Sequence, residues 1–260
     1  MTTDALQQLT TRALDDLATA LDAGHSEALT QLLRTCSRFH RYSLSNACLI
    51  ATQRPTATQV AGFGTWKALH RSVGRGERGI AILAPIIRER EDGRGERRRA
   101  IVRFRLAYVF DVAQTDGEPL SEIASAAGVP GEFTTRLTAA ITASGVQVDF
   151  SDALGGALGM SLGGRIAVQR SLPPATELLV LAHEWVHELL HRGEERPASR
   201  DIRELEAQAV SFVVCEAVGP LAATVDYIHL YRGDREALVA SLDRIQRTAT
   251  TIIRAIGVAR

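Results

Sequence analysis

Lysine is almost missing from this sequence. Of its 30 basic side chains, 29 are arginine and Lys67 is the one exception. Arginine's planar fork suits phosphate better than an ammonium does, although genome composition produces the same bias. Cysteine is scarce as well. Cys36, Cys48 and Cys215 lie far apart, form no CxxC pair and are odd in number. That argues against a disulfide framework and for a reducing, cytoplasmic setting. Long apolar runs are absent: stretches such as Leu178 to Ala182 are far too short to cross a bilayer, so no membrane partner is expected. The first 16 residues have no apolar core and carry acids, so no signal peptide is expected. There is no GxxxxGKS loop, no helix-turn-helix or zinc-finger spacing, no internal repeat and no low-complexity tail.

What is present fits a soluble globular chain. The 260 residues are 45% hydrophobic and 23% charged, enough for one large domain or two smaller ones. The net charge is zero, but residues 1–110 hold 17 basic against 10 acidic side chains, and residues 111–260 hold 13 against 20. Such asymmetry points to nucleic acid on the basic side or to a solvated basic surface.

The spacing of Leu6, Leu9, Leu14, Leu17 and Leu21 predicts a helix that breaks at Gly24-His25, with Ser26 capping a second. A short helix over 40–54 enters at Ser43 or Ser45 and stops before Pro55. Gly79 to Ile87 and Ala100 to Phe110 read as two strands of a hairpin with a charged tip at Asp92-Gly93. Residues 113–119 read as a linker or domain boundary. A helix pair is expected over 120–143, broken around Gly128 to Gly131. Strands follow at Val146 to Phe150 and Arg165 to Gln169 around a glycine-rich turn, and then helices over about 174–192, 199–218 and 234–257.

The strongest chemical signal is His183-Glu184-Trp185-Val186-His187. Histidines at i and i+4 share one helix face, so both rings reach a single ion, and zinc takes imidazole nitrogen at about 2.0–2.1 Å. Glu184 follows the first ligand and is placed to take a proton from water and deliver it to a leaving amine. Chance gives such a pattern in roughly 1% of chains of this size, and the apolar surroundings lower that figure. A catalytic zinc needs a third protein ligand. His191, a further i+4, cannot close on the same ion from a straight helix and is read as a C-terminal residue meeting the helix dipole. The next helix offers Glu204 and Glu206. They lie about 200° apart around the axis, so only one of them can serve. Gln208 is a candidate hydrogen-bonding support. Tyr227, His229 and Tyr231 are weak candidates for an oxyanion partner.

The segment HEWVHELLH followed by ELEAQAVSFVVCEAVG resembles the zincin-type metallopeptidases of the ImmA/IrrE and ArdC-like group. That resemblance implies a third ligand at the glutamate of an ExxA pattern, which is Glu204 here. Related sequences often carry an acid where this one has Gln208. A zincin's edge strand holds substrate by main-chain pairing, and Arg165 to Gln169 fits that part.

The first half is similar to the N-terminal domain of ArdC-like antirestriction proteins. The likeness runs through Tyr42-Ser43-Leu44-Ser45-Asn46, Gln53 to Thr58, Val60 to Lys67, Gly76 to Pro85 and Tyr108 to Val112. It implies single-stranded-DNA binding. Bases stack on rings while the backbone follows a basic groove. Tyr42 and Trp66 supply rings, Arg54, Lys67, Arg71, Arg75 and Arg78 supply charge, and Ser43 and Asn46 supply polar contacts. Phe63 is expected in the core.

Together these readings give an α+β chain. Residues 1–116 are expected as a mixed α/β single-stranded-DNA-binding domain and residues 117–260 as a zincin-like metallopeptidase domain. Zinc is the expected cofactor, held by His183, His187 and Glu204, with Glu184 catalytic. A protein or peptide is the expected substrate, and antirestriction, or action on DNA-bound proteins, the expected role. The alternative is a non-catalytic DNA-binding protein with a structural or vestigial zinc site.

Overall fold

The leucine spacing at the N-terminus does wind a helix, α1 (Thr3–Asp22), and Gly24 turns the chain at φ +85°. The computed structural model describes residues 2–91, 97–118, 130–194, 196–219 and 235–258. Helix α2 (Ser26–Arg38) begins at Ser26, but its N-cap is His25, which makes no side-chain capping bond. Helix α3 (Leu44–Gln53) stops short of Pro55, as that ring requires. Among the described residues, no helix is long and apolar enough to cross a membrane. All three cysteines are buried, and among the described residues none is joined in a disulfide. Burial pushes the Cys48 thiol up to about 11 and the Cys215 thiol up to about 12.

The α+β chain forms two compact units: Met1–Asp16 with Ser45–Leu120, and Leu17–Leu44 with Ser121–Arg260. The second unit therefore takes in Leu17–Leu44, which a simple division at 116/117 assigns to the first.

In the first unit come β1 (Val60–Ala61), α4 (Phe63–Ala68), β2 (Arg71–Val73), β3 (Ile80–Glu91) and β4 (Arg97–Asp111). Strands β3 and β4 form the expected hairpin, in register from Ile80 opposite Val109 to Glu91 opposite Arg97, with a bulge at Ile86/Ile87. Its tip at residues 92–96, including Asp92-Gly93, lies outside the described residues. The antiparallel sheet runs β1-β4-β3, so β3 is an edge. Two amides of α3 take the place of a neighbouring strand there. Asn46 bonds both the N–H and the C=O of Leu83 at 2.9 Å, and Gln53 does the same to Ala81 at 3.0 and 2.8 Å. Seven residues apart on one helix face, they match strand positions two apart. Leu6 and Leu49 close the core over Ala81 and Leu83.

The segment expected as a linker or domain boundary lies beside the division at Leu120/Ser121, and its residues 113–117 belong to regular elements. Residues Val112–Gln114 form a 3-10 turn, and β5 (Thr115–Gly117) pairs with β2. Buried Asp111 is the reason. Its carboxylate accepts from the N–H groups of Thr58, Gln59 and Ala113, while Gln114 closes the capping box on the Asp111 N–H.

The second unit holds α5 (Pro130–Ala143), β6 (Gln147–Ser151), β7 (Gly159–Ser161), β8 (Arg165–Gln169), α6 (Pro174–Leu190), α7 (Arg200–Val218) and α8 (Arg235–Ala255). The partner helix expected before α5 lies outside the described residues. The sheet order is β6-β8-β7. Strand β8, expected as the substrate-holding edge, is central. It pairs in parallel with β6 and antiparallel with β7, and Ile166, Ala167 and Val168 are buried. The edge beside α6 is instead β7, inside the stretch read as a turn. Helix α6 lies on α5, α7, β7 and β8, and α7 packs on α2, α6 and α8.

Candidate functional site

Helix α6 is apolar toward the core, with Leu178, Leu181, Ala182 and Val186 fully buried. One turn apart on its other side, His183 and His187 point their Nε2 atoms at each other, 3.1 Å apart. Helix α7 returns after Pro197 and is capped by the Ser199 hydroxyl, which accepts from the Ile202 N–H. Its first turns bring Glu204 Oε2 to 3.5 Å from His183 Nε2 and 3.7 Å from His187 Nε2. These three residues are the one group of potential metal ligands among the described residues, with ligand atoms within 4.8 Å of one another. Two nitrogens held tetrahedrally at the usual zinc distance sit about 3.3 Å apart, so the spacing suits a small divalent cation. The two facing nitrogen lone pairs also need a cation or proton between them. Burial first, then the neighbouring His183, lowers His187 to about 4.

Glu204 and Glu206, both open candidates in the sequence, separate cleanly. Glu206 faces away from the pair and is fully buried. Its carboxylate accepts from Ser241 Oγ at 2.7 Å, from Arg244 Nε at 2.8 Å and from Arg244 Nη2, and meets His191 Nε2 at 3.0 Å. His191 also departs from its expected role. It is buried at the C-cap of α6, and its Nδ1 lies 2.9 Å from His187 Nδ1. The i+4 spacing alone could have flagged that contact.

Glu184 is half-buried beside the histidines. Burial raises its pKa, with His183 opposing and the Glu204 and Glu188 charges assisting. Gly159 on β7 lies against it: a Cβ there would meet Val180 Cγ1 at 2.5 Å and Glu184 Oε1 at 3.0 Å. Close approach of the edge strand thus requires glycine.

Glu188, not singled out in the sequence, ties that strand to α6. It accepts from Ser161 Oγ at 2.6 Å, the Gly163 and Gly164 N–H groups at 2.9 and 2.8 Å, and Arg192 at 2.7 Å. Gly163 and Gly164, at φ +80° and +84°, are the two central residues of the β7–β8 turn, as a type I′ turn demands. Burial works to raise the Glu188 carboxyl, but the hydrogen bonds and the Arg192 charge hold it low. Gln208 bonds Ser211 Oγ through its main-chain carbonyl. Tyr227, His229 and Tyr231 lie outside the described residues.

The candidate DNA contacts fare unevenly. Trp66 is buried, and its indole N–H donates to the Phe110 carbonyl at 2.9 Å, so it presents no ring to a base. Phe63, expected in the core, is 60% exposed. Asn46 is occupied by β3. The Arg71 guanidinium bonds Thr115, Gly117 and the Glu118 carbonyl. Arg54 lies 3.9 Å from buried Asp111. Lys67, Arg75 and Arg78 are exposed. Tyr42 and Ser43 belong to the second unit, where Gln246 bonds the Tyr42 carbonyl. Sequence reasoning passed over Phe104 and Tyr108, 45% and 49% exposed on β4 near exposed Arg103 and Arg105.

Residues 4–110 match the N-terminal domain of anti-restriction factor ArdC. The whole chain is similar to the crystal structure of the antirestriction ArdC protein from the R388 plasmid in its metal-free form. Identity is 18%, coverage 97% of this chain and 99% of that one, and the TM-score 0.51. Residues 4–110 thus carry an ArdC-type N-terminal domain, and the whole chain shares the fold of R388 ArdC. The Mn(II)-bound R388 structure matches the chain at 17% identity over the same shares of both chains, again with a TM-score of 0.51. At such identity these two matches speak for the fold. An uncharacterized protein of Bacillus anthracis is 24% identical over 98% of the chain and 52% of its own length, so the chain spans about half of that relative.

Proposed function

We propose that this ArdC-like chain acts in antirestriction, binding single-stranded DNA through its first unit and cleaving peptide bonds at a zinc centre in a zincin-like second unit. The observation that carries the reading is the convergence of His183, His187 and Glu204 beside a half-buried Glu184. The two Nε2 atoms and one Glu204 oxygen would hold the ion. A divalent cation held there supplies Lewis-acid polarisation and an attacking water of lowered pKa. Glu184, its carboxyl raised by burial, would serve as the proton acceptor for a water in the site and as the donor to a leaving amine. The β7 edge, pulled close by Gly159 and Glu188, offers main-chain groups to an extended peptide. R388 ArdC has an Mn(II)-bound structure, and the His-His-Glu donor set suits either metal. On the first unit the exposed rings of Phe63, Phe104 and Tyr108, with Lys67, Arg75, Arg78, Arg103 and Arg105, provide stacking faces and charge for a single strand.

The test measures zinc content, oligonucleotide affinity and peptide cleavage in the presence of DNA for wild type, His183→Ala and Glu184→Gln. About one zinc per chain, lost in His183→Ala, with cleavage lost in Glu184→Gln and DNA binding kept in both, supports the proposal. Zinc and DNA binding without cleavage of any peptide supports a non-catalytic binding protein instead. A wild-type chain that holds no divalent metal overturns the peptidase reading.

A further inference from the structure

Behind the metal-facing histidines lies a chain of buried polar groups that the proposed chemistry does not use. It runs from His187 Nδ1 to His191 Nδ1 at 2.9 Å, from His191 Nε2 to Glu206 Oε2 at 3.0 Å, and on to Ser241 and Arg244 on α8. The side chains of His191 and Glu206 are 3% and 0% exposed. We infer that His191 and Glu206 are positioning residues that fix the tautomer and ring orientation of His187, so that its Nε2 lone pair points at the metal position. The inference rests on the metal-site reading above.

With one proton on each ring, the hydrogen bonds permit one arrangement. Glu206 accepts from Ser241 Oγ and from Arg244 Nε and Nη2, a donor set that suits a carboxylate. A carboxylate only accepts, so His191 must carry its proton on Nε2 and donate to Glu206. His191 Nδ1 is then a bare acceptor, and the facing His187 Nδ1 must donate. With its proton on Nδ1, neutral His187 has its free lone pair on Nε2, the atom that faces His183 and Glu204. The opposite assignment would set the lone pair of His191 against the Glu206 carboxylate in a buried place, which is costly. Metal-ligating histidines commonly donate their other N–H to a carboxylate directly. Here a second histidine is inserted, and it carries the orientation from α8 through α7 to α6.

Two variants separate this polarity from simple packing. His191→Phe fills the volume and breaks the chain. His191→Gln can keep its sense, with the amide oxygen accepting from His187 and the amide N–H donating to Glu206. Zinc affinity of the full chain is read by competition with a chromophoric chelator, and Co2+ substitution reports ligand geometry through its visible absorption. Long-range 1H–15N correlation spectra of the metal-free chain report the His187 tautomer without any metal. The expected results are an Nδ1-protonated His187 in wild type, a roughly 10- to 100-fold loss of zinc affinity in His191→Phe with an altered Co2+ spectrum, and recovery of most of the loss in His191→Gln. A wild-type chain that binds zinc while His191→Phe binds within twofold of it overturns the inference and leaves the metal site standing. An Nε2-protonated His187 in wild type overturns it as well. A wild-type chain that binds no zinc overturns the metal-site reading and this inference with it.

Discussion

The two units use buried polar side chains in opposite ways. In the first, Asn46, Gln53, Asp111 and Trp66 all bond main-chain groups of their own sheet and its flanks. They stand in for a missing neighbour strand, cap a turn and hold β1 and β4 together. In the second, Glu188, His191 and Glu206 bond side chains, or loop amides, that bear on one helix. There the buried polarity supports the back of a site. The lesson concerns where function can lie. In the first unit the chemically attractive polar residues are taken up by the fold, which leaves plain exposed rings and arginines for the proposed ligand contacts. In the second, the taken-up residues back the proposed metal site.

The largest expected effects test whether these buried groups matter to the fold as much as their geometry indicates. Trp66→Ala removes a buried indole and its bond to Phe110, and should lower stability by about 3–5 kcal/mol in urea unfolding followed by circular dichroism. Glu206→Ala strips buried Ser241 and His191 and half-exposed Arg244 of a shared partner, and a loss of about 2–3 kcal/mol is expected. Trp185, the other tryptophan of the sequence, lies in the second unit and reports it by fluorescence. A Glu206→Ala chain as stable as wild type would break the comparison, since the buried carboxylate would then be dispensable.

A smaller effect is expected at Glu188. Its partners Gly163 and Arg192 are exposed, so water can replace part of what Glu188→Ala removes. The expected cost is about 1–3 kcal/mol. The sharper readout is local: amide exchange at Gly163 and Gly164 should speed up more than exchange in α7. Unchanged exchange there would mean that the turn holds itself without the carboxylate.

Smaller again is the difference between the two amides on β3. Asn46 is buried, while Gln53 is part-buried. Asn46→Ala should cost about 1–3 kcal/mol and Gln53→Ala less, because solvent reaches the Ala81 groups more easily. Equal losses in matched unfolding curves would remove burial as the deciding variable.

How much of this was legible depends on the range over which each feature is determined. The His183–Glu184–His187 set is local, since i and i+4 on a helix meet whatever surrounds them. The helices and the β3–β4 hairpin follow from periodicity within single segments. The division between Glu204 and Glu206 is not local. It is visible through partners 35 and 38 residues beyond Glu206, Ser241 and Arg244 on α8. The place of β8 at the sheet centre is likewise a matter of strand order, which a segment's own pattern does not carry. The two rings of α4 came out reversed, with Trp66 inside and Phe63 outside, because a six-residue helix has too few turns to declare its face.

That reversal sets the last and smallest stability effect. Phe63 is 60% exposed, so Phe63→Ala should change stability by no more than about 0.5 kcal/mol. If the ring stacks on a base, the same change should weaken single-strand binding by about 1–3 kcal/mol. The salt dependence then separates ring from charge. An uncharged ring releases no counterions, so Phe63→Ala should leave the slope of log affinity against log salt unchanged. Arg75→Ala or Arg78→Ala should each reduce it by about 0.7 if the side chain meets a phosphate. A Phe63→Ala chain that binds oligonucleotide as wild type does would take this ring out of the interface, and Phe104 and Tyr108 on β4 would be the rings to change next. A Phe63→Ala chain that loses several kcal/mol of stability would instead return Phe63 to the core and erase the contrast with Trp66.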